Sequence, residues 1–453
     1  METQRSSPEG LTRGFGLLHA TALNVSNMVG VGPFITIPLL LTTVGGPQAV
    51  LGWLTGAVLV LADGQVWSEL GAALPGSGGS YRFLREAYGP SKWGRVMAFL
   101  FIWQFLLSGP LEIASGMIGF SDYAGYLAPG MTPLQHKLLA AGVGVIAVLL
   151  LSQKITILGR VTVTLWVGTL LTMAAILLAG APHLHADSVL HPLRELSFGK
   201  GFILGLGGAT LLTTYCYLGY YDVCYIGDEV RDPGRVIPRS IIYSIVFCVL
   251  AYVAIHITLV AVVPWQEAMK SHSLVSDFMQ RLHGHWAAIA ITVMVLWTAF
   301  GSVFALLLGY SRVPYAAAKD GYFFPAFARL HKTRDYPHIS LYVLGATAIL
   351  AAFFTLDQVV SALITTRILV QFMGQIIAVP LLRKRLPDSK RPYRMWLYPV
   401  PLVISGLGWT YVFVTAGFTY VAIGIATLAV GVLAFLAWSR ASAAWPFAPA
   451  VKE

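Results

Sequence analysis

Apolar residues run along this chain in continuous stretches of about 20, separated by short polar segments. The stretches occupy 15–41, 49–71, 93–121, 136–151, 160–180, 201–228, 240–263, 286–311, 339–357, 360–382, 397–416 and 418–437. Twenty residues of helix rise about 30 Å, the thickness of the hydrocarbon core of a bilayer. Continuous runs without period-two alternation predict helices rather than the strands of a barrel. The pattern thus predicts an all-α integral membrane protein with twelve transmembrane helices in a single domain over 1–453. Its longest polar stretches are 181–200, 264–285, 312–338 and 383–396. The first run is too long for a cleavable signal and no small-residue cleavage site follows it, so none is expected.

Composition agrees with that picture. Hydrophobic residues make up 57%, charged residues 11%, and the mean hydropathy is +0.71, against about 25% charged in a soluble domain. The net charge of +10 raises the question of a nucleic-acid partner, and its distribution answers it. Of the 30 lysines and arginines, Lys137, Arg194, Lys200, Lys270 and Arg281 fall on one side of the predicted membrane and Arg367 inside a span. All the others lie in the N-terminal tail, the C-terminus or the connections after even-numbered spans. That asymmetry is the positive-inside pattern: it places both termini in the cytoplasm and implies no nucleic acid. Cys216, Cys224 and Cys248 have no CxxC spacing and read as free buried thiols. His183, His185, His191, His272, His283 and His285 read as solvated loop residues rather than a metal site, and neither a metal nor a cofactor is expected.

Glycine and proline punctuate two of the spans. The first holds Gly30-Val31-Gly32-Pro33-Phe34; the sixth holds Gly205, Gly207, Gly208 and then Tyr217-Leu218-Gly219-Tyr220-Tyr221-Asp222. Proline lacks a donor and clashes with the preceding turn, and glycine weakens helix. Breaks in the first member of each of two five-helix sets point to inverted repeats around a midplane binding site. Kinked helices packed closely through small residues would leave the same signature.

Four segments carry a resemblance to a known family. They are Gly30-Val31-Gly32-Pro33-Phe34, Ser68-Glu69-Leu70-Gly71-Ala72-Ala73-Leu74-Pro75 continuing through Gly76-Ser77-Gly78-Gly79-Ser80-Tyr81, Asp228-Glu229-Val230-Arg231-Asp232-Pro233, and Ser311-Arg312 with Ala318-Lys319-Asp320-Gly321. In this order, at these spans, the chain resembles the amino acid–polyamine–organocation (APC) transporters over nearly its whole length. The resemblance implies the LeuT-type fold: inverted repeats of five spans each, about 15–180 and 201–382, plus two helices at about 397–437. Substrate would sit between the two breaks. Half-helix N-termini there suit a carboxylate, and freed carbonyls suit an ammonium group or a cation.

Departures from the family pattern matter too. Pro33 and Val31 replace an aliphatic and a small residue. The lysine that some members carry in span five would align near Thr169, which puts lysine-dependent proton coupling in doubt. Gly32-Pro33-Phe34, Asp63 and Ser108-Gly109-Pro110-Leu111-Glu112 with Asp122-Tyr123 are similar to the polyamine-permease branch.

Charges at membrane depth are expensive and need an account. Glu112 is read as a contact for a substrate ammonium, a member of an ion pair or a titrating group. Arg367 is expected to pair with Glu112 or Asp222, or to meet a substrate carboxylate. Asp222 is expected to accept N–H groups freed by the break, and Asp63 to be structural. His19 and His256 read as packing residues. Tyr215, Tyr217, Tyr220 and Tyr221 could line a cavity and stack on an amine. The candidate substrate-binding residues are therefore Val29, Gly30, Val31, Gly32, Pro33, Glu112, Tyr215, Tyr217, Gly219, Tyr220, Asp222 and Arg367, with a cation site at Ser302 by family analogy.

The functional expectation is a secondary transporter of amino acids working by alternating access in the cytoplasmic membrane, coupled to H+ or Na+ or to exchange. A polyamine or other organic cation is the alternative substrate, and a sensor of the same build is a further alternative. A channel would need a polar stripe along a span, and a membrane enzyme would need a clustered motif such as HExxH, a nucleophile elbow or a Walker loop. The sequence has none of these.

Overall fold

The computed structural model describes residues 14–76, 78–153, 155–184, 199, 201–334, 336–387 and 391–449, with backbone alone for 155–163. Ser77, His185, His191, Arg194 and Lys200 lie outside the described residues. Within them the fold is all-helical, and the single extended pairing is an isolated bridge between Phe15 and Val230.

The helices are α1 (Leu17–Met28), α2 (Gly32–Val44), α3 (Val50–Ala73), α4 (Ser80–Tyr88), α5 (Trp93–Leu127), α6 (Pro133–Leu151), α7 (Ile155–Gly180) and α8 (Phe202–Tyr217). There follow α9 (Pro233–Val262), α10 (Leu274–His283), α11 (His285–Tyr310), α12 (Arg312–Lys319), α13 (His338–Ala351), α14 (Leu356–Arg367), α15 (Met373–Arg385), α16 (Val400–Thr415) and α17 (Phe418–Ala441). Eight helical stretches are long and apolar enough to cross a membrane, or nine when α1 and α2, bent by 50° at their junction, count as one. The helices α8, α13 and α16 are apolar but shorter. This is a multi-pass membrane protein.

Local chemistry explains two of the helix starts. Thr355 and Gln358 form a capping box, with Gln358 N donating to Thr355 Oγ1 at 3.4 Å and Thr355 N to Gln358 Oε1 at 3.1 Å. That box starts α14 at Leu356, four residues before the apolar run at 360–382 suggests. Thr132 and Gln135 do the same for α6. Between α14 and α15, Ile368–Phe372 wind as a wider π-helix.

Two buried carboxylates stitch the bundle together. Asp63 of α3 accepts from Trp67 Nε1 at 2.9 Å, Tyr220 Oη at 2.5 Å and Trp409 Nε1 at 3.2 Å. It thereby joins α3 to the segment after α8 and to α16, a structural role. Glu69, the acid of the Ser68–Pro75 motif, takes both arms of the Arg383 guanidinium at 2.7 Å and the N–H of Met395 at 2.9 Å. Arg391 lies 3.6 Å away. A carboxylate removed from water needs several charge-assisted partners, and here it has them. His256 accepts from Trp53 Nε1 at 3.2 Å within the core, as a packing residue, and the three cysteines are free and buried.

Candidate functional site

The site begins at the two breaks. The helix α1 stops at Met28, and Val29, Gly30 and Val31 carry the chain across to α2. Pro33 occupies the first turn of α2, where its missing N–H is no loss, so it starts the second half of the span rather than kinking its middle. The Val31 N–H reaches Ser302 Oγ on α11 at 3.3 Å. In the sixth span, α8 stops at Tyr217, Leu218 is extended, and Gly219 takes φ +103° before a 3-10 turn over Asp222–Tyr225.

The breaks face each other. A Cβ on Gly219 would stand 2.9 Å from the Asn27 carbonyl carbon, and one on Gly30 would stand 2.6 Å from Ser302 Oγ. Each glycine is thus required by a close approach, and Gly219 also by a left-handed conformation. The N–H of Val223, just past the sixth-span break, is taken by Asn24 Oδ1 at 2.9 Å. Contrary to the expectation from sequence, Asp222 therefore does not collect the freed backbone donors. It accepts from the Asn27 side chain at 2.8 Å instead.

Between the breaks lies a narrow cavity of about 40 Å³. Gly30, Val31, Gly32, Glu112, Tyr215 and Ser302 of the candidate residues line it, together with Ser26, Asn27, Met28, Ser115, Gly116, Cys216, Leu218, Ala305 and Leu306. The first turn of α2 aims the positive end of its dipole into this space, and the last turn of α1 its negative end.

The remaining candidates stand behind the wall. Tyr217 donates to the Trp53 carbonyl at 3.3 Å, and Tyr220 is held by Asp63. Tyr221 stacks on Trp67 with centroids 4.1 Å apart. Burial turns these three tyrosines into braces, because each phenol has found a partner inside the bundle. Val29, Pro33, Gly219 and Asp222 form the breaks themselves without being part of the cavity lining.

Glu112 on α5 and Arg367 at the end of α14 form a buried pair, Oε2 to Nη2 2.6 Å, with side chains 8% and 2% exposed. The Nη2 hydrogens do not point along that line, so the contact is an ion pair rather than a directed hydrogen bond. The directed donor to the same oxygen is Tyr310 Oη at 2.7 Å. The guanidinium also donates to Ser108 Oγ and Tyr221 Oη, both at 3.3 Å, and lies 5.7 Å from the Tyr310 ring centroid. Arg367 thus meets Glu112 and not Asp222, and it is separated from the cavity by its partner.

Ser302 and Thr169 bear on ion coupling. The Ser302 hydroxyl donates to the Thr298 carbonyl at 3.1 Å while accepting from Val31. Thr169 hydrogen-bonds its own helix at the Leu165 carbonyl, 3.2 Å away. Among the described residues, no group of three His, Cys, Asp or Glu side chains is arranged to hold a metal ion.

Ser26, Asn27, Ser115 and Gly116 were not singled out from sequence. A signal existed: Ser26-Asn27 are polar residues one turn before a break in an otherwise apolar span. Ser115 and Gly116 sit one helical turn beyond Glu112, on the same face of α5.

Residues 15–438 match the family model described as amino acid permease. The serine/threonine exchanger SteT of Bacillus subtilis is 27% identical over 412 residues, covering 88% of this chain and 90% of that protein. The branched-chain amino acid permease BcaP of the same organism is 24% identical over 419 residues, covering 89% and 87%. The human cystine/glutamate transporter is 26% identical over 403 residues, covering 87% and 78%. With the family match running almost end to end, this chain belongs to the amino acid permeases of the amino acid–polyamine–organocation superfamily.

Proposed function

We propose that this protein is a secondary active transporter that moves amino acids across the cytoplasmic membrane by alternating access. The observation that carries the reading is the meeting of two broken spans around one small cavity, with opposite helix ends turned into it. An amino acid's carboxylate suits the N-terminus of α2, and its ammonium suits the carbonyl end of α1 beside Asn27. Counting the bent pair once and adding the three short apolar helices gives twelve spans. These support a LeuT-type arrangement, with repeats over about 15–180 and 201–382, two further helices, and both termini cytoplasmic.

The Glu112–Arg367 pair favours an amino acid over a polyamine. A lone carboxylate would draw a cationic ligand strongly at low dielectric. Paired at 2.6 Å with a guanidinium, it leaves a near-neutral cavity suited to a zwitterion. A serine/threonine exchanger and a branched-chain amino acid permease among the relatives support amino acids as the substrate class. The Ser302 hydroxyl is committed within the protein and Thr169 cannot titrate, which favours substrate exchange as the driving mode over a sodium site at Ser302 or a span-five proton carrier.

The test is uptake of labelled amino acids by proteoliposomes of purified protein, empty or preloaded with unlabelled amino acid. Saturable uptake, stimulated by preloading, is expected. No uptake of any proteinogenic amino acid, alongside uptake of putrescine, would overturn the substrate class.

A further inference from the structure

Glu112 is gripped on one side only. Its Oε2 holds Arg367 and Tyr310 at 2.6 and 2.7 Å. Among the described residues no hydrogen bond reaches Oε1, and Glu112 lines the cavity. Three residues along, the Ser115 hydroxyl lies 2.6 Å from the Glu112 main-chain carbonyl and 2.8 Å from Tyr215 Oη. A carbonyl can only accept, so the single Ser115 proton is committed to it, and Tyr215 must donate to Ser115. Both hydroxyl protons are then used, while lone pairs on Tyr215 and Glu112 Oε1 stay open. This wall of the cavity accepts hydrogen bonds and offers none.

Such a wall discriminates by chemistry. An apolar side chain pressed on it strands two buried acceptors, which costs more than the hydrogen bond itself is worth. A cationic side chain finds the Glu112 charge already answered and a second cation, Arg367, behind it. A side-chain amide brings a donor but also a carbonyl for which the wall has no donor. The cavity is small, about 40 Å³, so a short side chain suits it best.

We propose that Glu112 Oε1, Ser115 and Tyr215 form a side-chain subsite that selects small neutral amino acids bearing a hydroxyl group. The proposal rests on the amino acid transport reading and deepens it. The ligand hydroxyl donates to Glu112 Oε1 or Tyr215 Oη, and the α-carboxylate and ammonium stay at the two breaks.

Matched pairs test it without altering the protein. Serine against alanine, and threonine against the nearly isosteric valine, would be compared as competitors of labelled uptake into proteoliposomes. The hydroxylated member of each pair should compete at a concentration at least about tenfold lower. In Tyr215→Phe and Ser115→Ala, each checked for a monodisperse purified protein, the threonine-to-valine ratio should fall below about threefold. Equal competition by valine and threonine in the wild type overturns the subsite and leaves the transport reading standing. So does a preference for branched or cationic amino acids. Loss of uptake for every amino acid tried, in the wild type, removes both.

Discussion

Replacing Arg367 by methionine tests the centre of the structure most directly. The side chain is 2% exposed, and its partner Glu112 is left with Tyr310 as its remaining donor. Removing one member of a buried pair costs about 3–5 kcal/mol, because a charge is left in a medium that cannot solvate it. The two further bonds from the guanidinium, to Ser108 and Tyr221 at 3.3 Å, are long and add little. Glu112→Gln should cost a similar amount by stranding the guanidinium. The double variant Glu112→Gln/Arg367→Met has no unpaired charge and should lose no more than about 1 kcal/mol, which with single losses of about 3–5 kcal/mol each gives a coupling of at least about 5 kcal/mol. The assay is denaturant unfolding of the purified protein in detergent, with all four proteins measured in parallel. A loss below about 1 kcal/mol for Arg367→Met alone, or additive losses in the double variant, would refute the buried pair.

Other substitutions probe the breaks and the coupling. Gly219→Ala forces a Cβ to 2.9 Å from the Asn27 carbonyl carbon at φ +103°, so about 2–4 kcal/mol of stability and nearly all uptake should be lost; normal uptake would show that the breaks do not meet as described. At Gly32 the nearest atoms to an added Cβ are side-chain atoms of Tyr215 and Cys216, at 3.4 and 3.5 Å, which is ordinary or nearly ordinary contact. Gly32→Ala should therefore fold and transport, whereas Gly32→Leu should fold but fill the cavity and abolish uptake, measured against thermal stability of the same samples. Thr169→Ala removes a hydroxyl bonded only within its own helix and should leave the response of uptake to sodium and pH gradients unchanged; strict proton dependence that vanishes in this variant would contradict the exchange reading.

Much of the fold was legible in the sequence because the bilayer imposes a length on helices. The first break announced itself through two glycines and a proline inside an apolar run. What the sequence could not show was direction. Four tyrosines clustered at the second break read alike, yet only Tyr215 lines the cavity, while Asp63, Trp53 and Trp67 hold the other three. Those partners lie more than 100 positions away in the chain. Asp222 misled for a similar reason. The break's freed N–H at Val223 had a nearer acceptor in Asn24, 199 residues earlier. The start of α14 was readable from Thr355 and Gln358, and an apolar-run criterion passes over such polar signals.

The π-helical turn over Ile368–Phe372 sets the phase of its span. An α-helix rotates by about 100° per residue, and a π turn holds one residue more than its α counterpart. Below it, α15 is pinned by Gln375 to Ser80 at 2.9 Å and by Arg383 to Glu69 at 2.7 Å. Above it, Arg367 must point at Glu112 on a different neighbour. An unbroken α-helix through the same residues would satisfy the lower anchors and swing the guanidinium about 100° away from its partner. Chain length at this point is therefore as binding as side-chain identity. Deleting a single residue from 368–372 should let the segment close as an ordinary α turn and keep Arg367 on Glu112, whereas inserting one there should dial Arg367 about 100° off its target while leaving every charged residue in place.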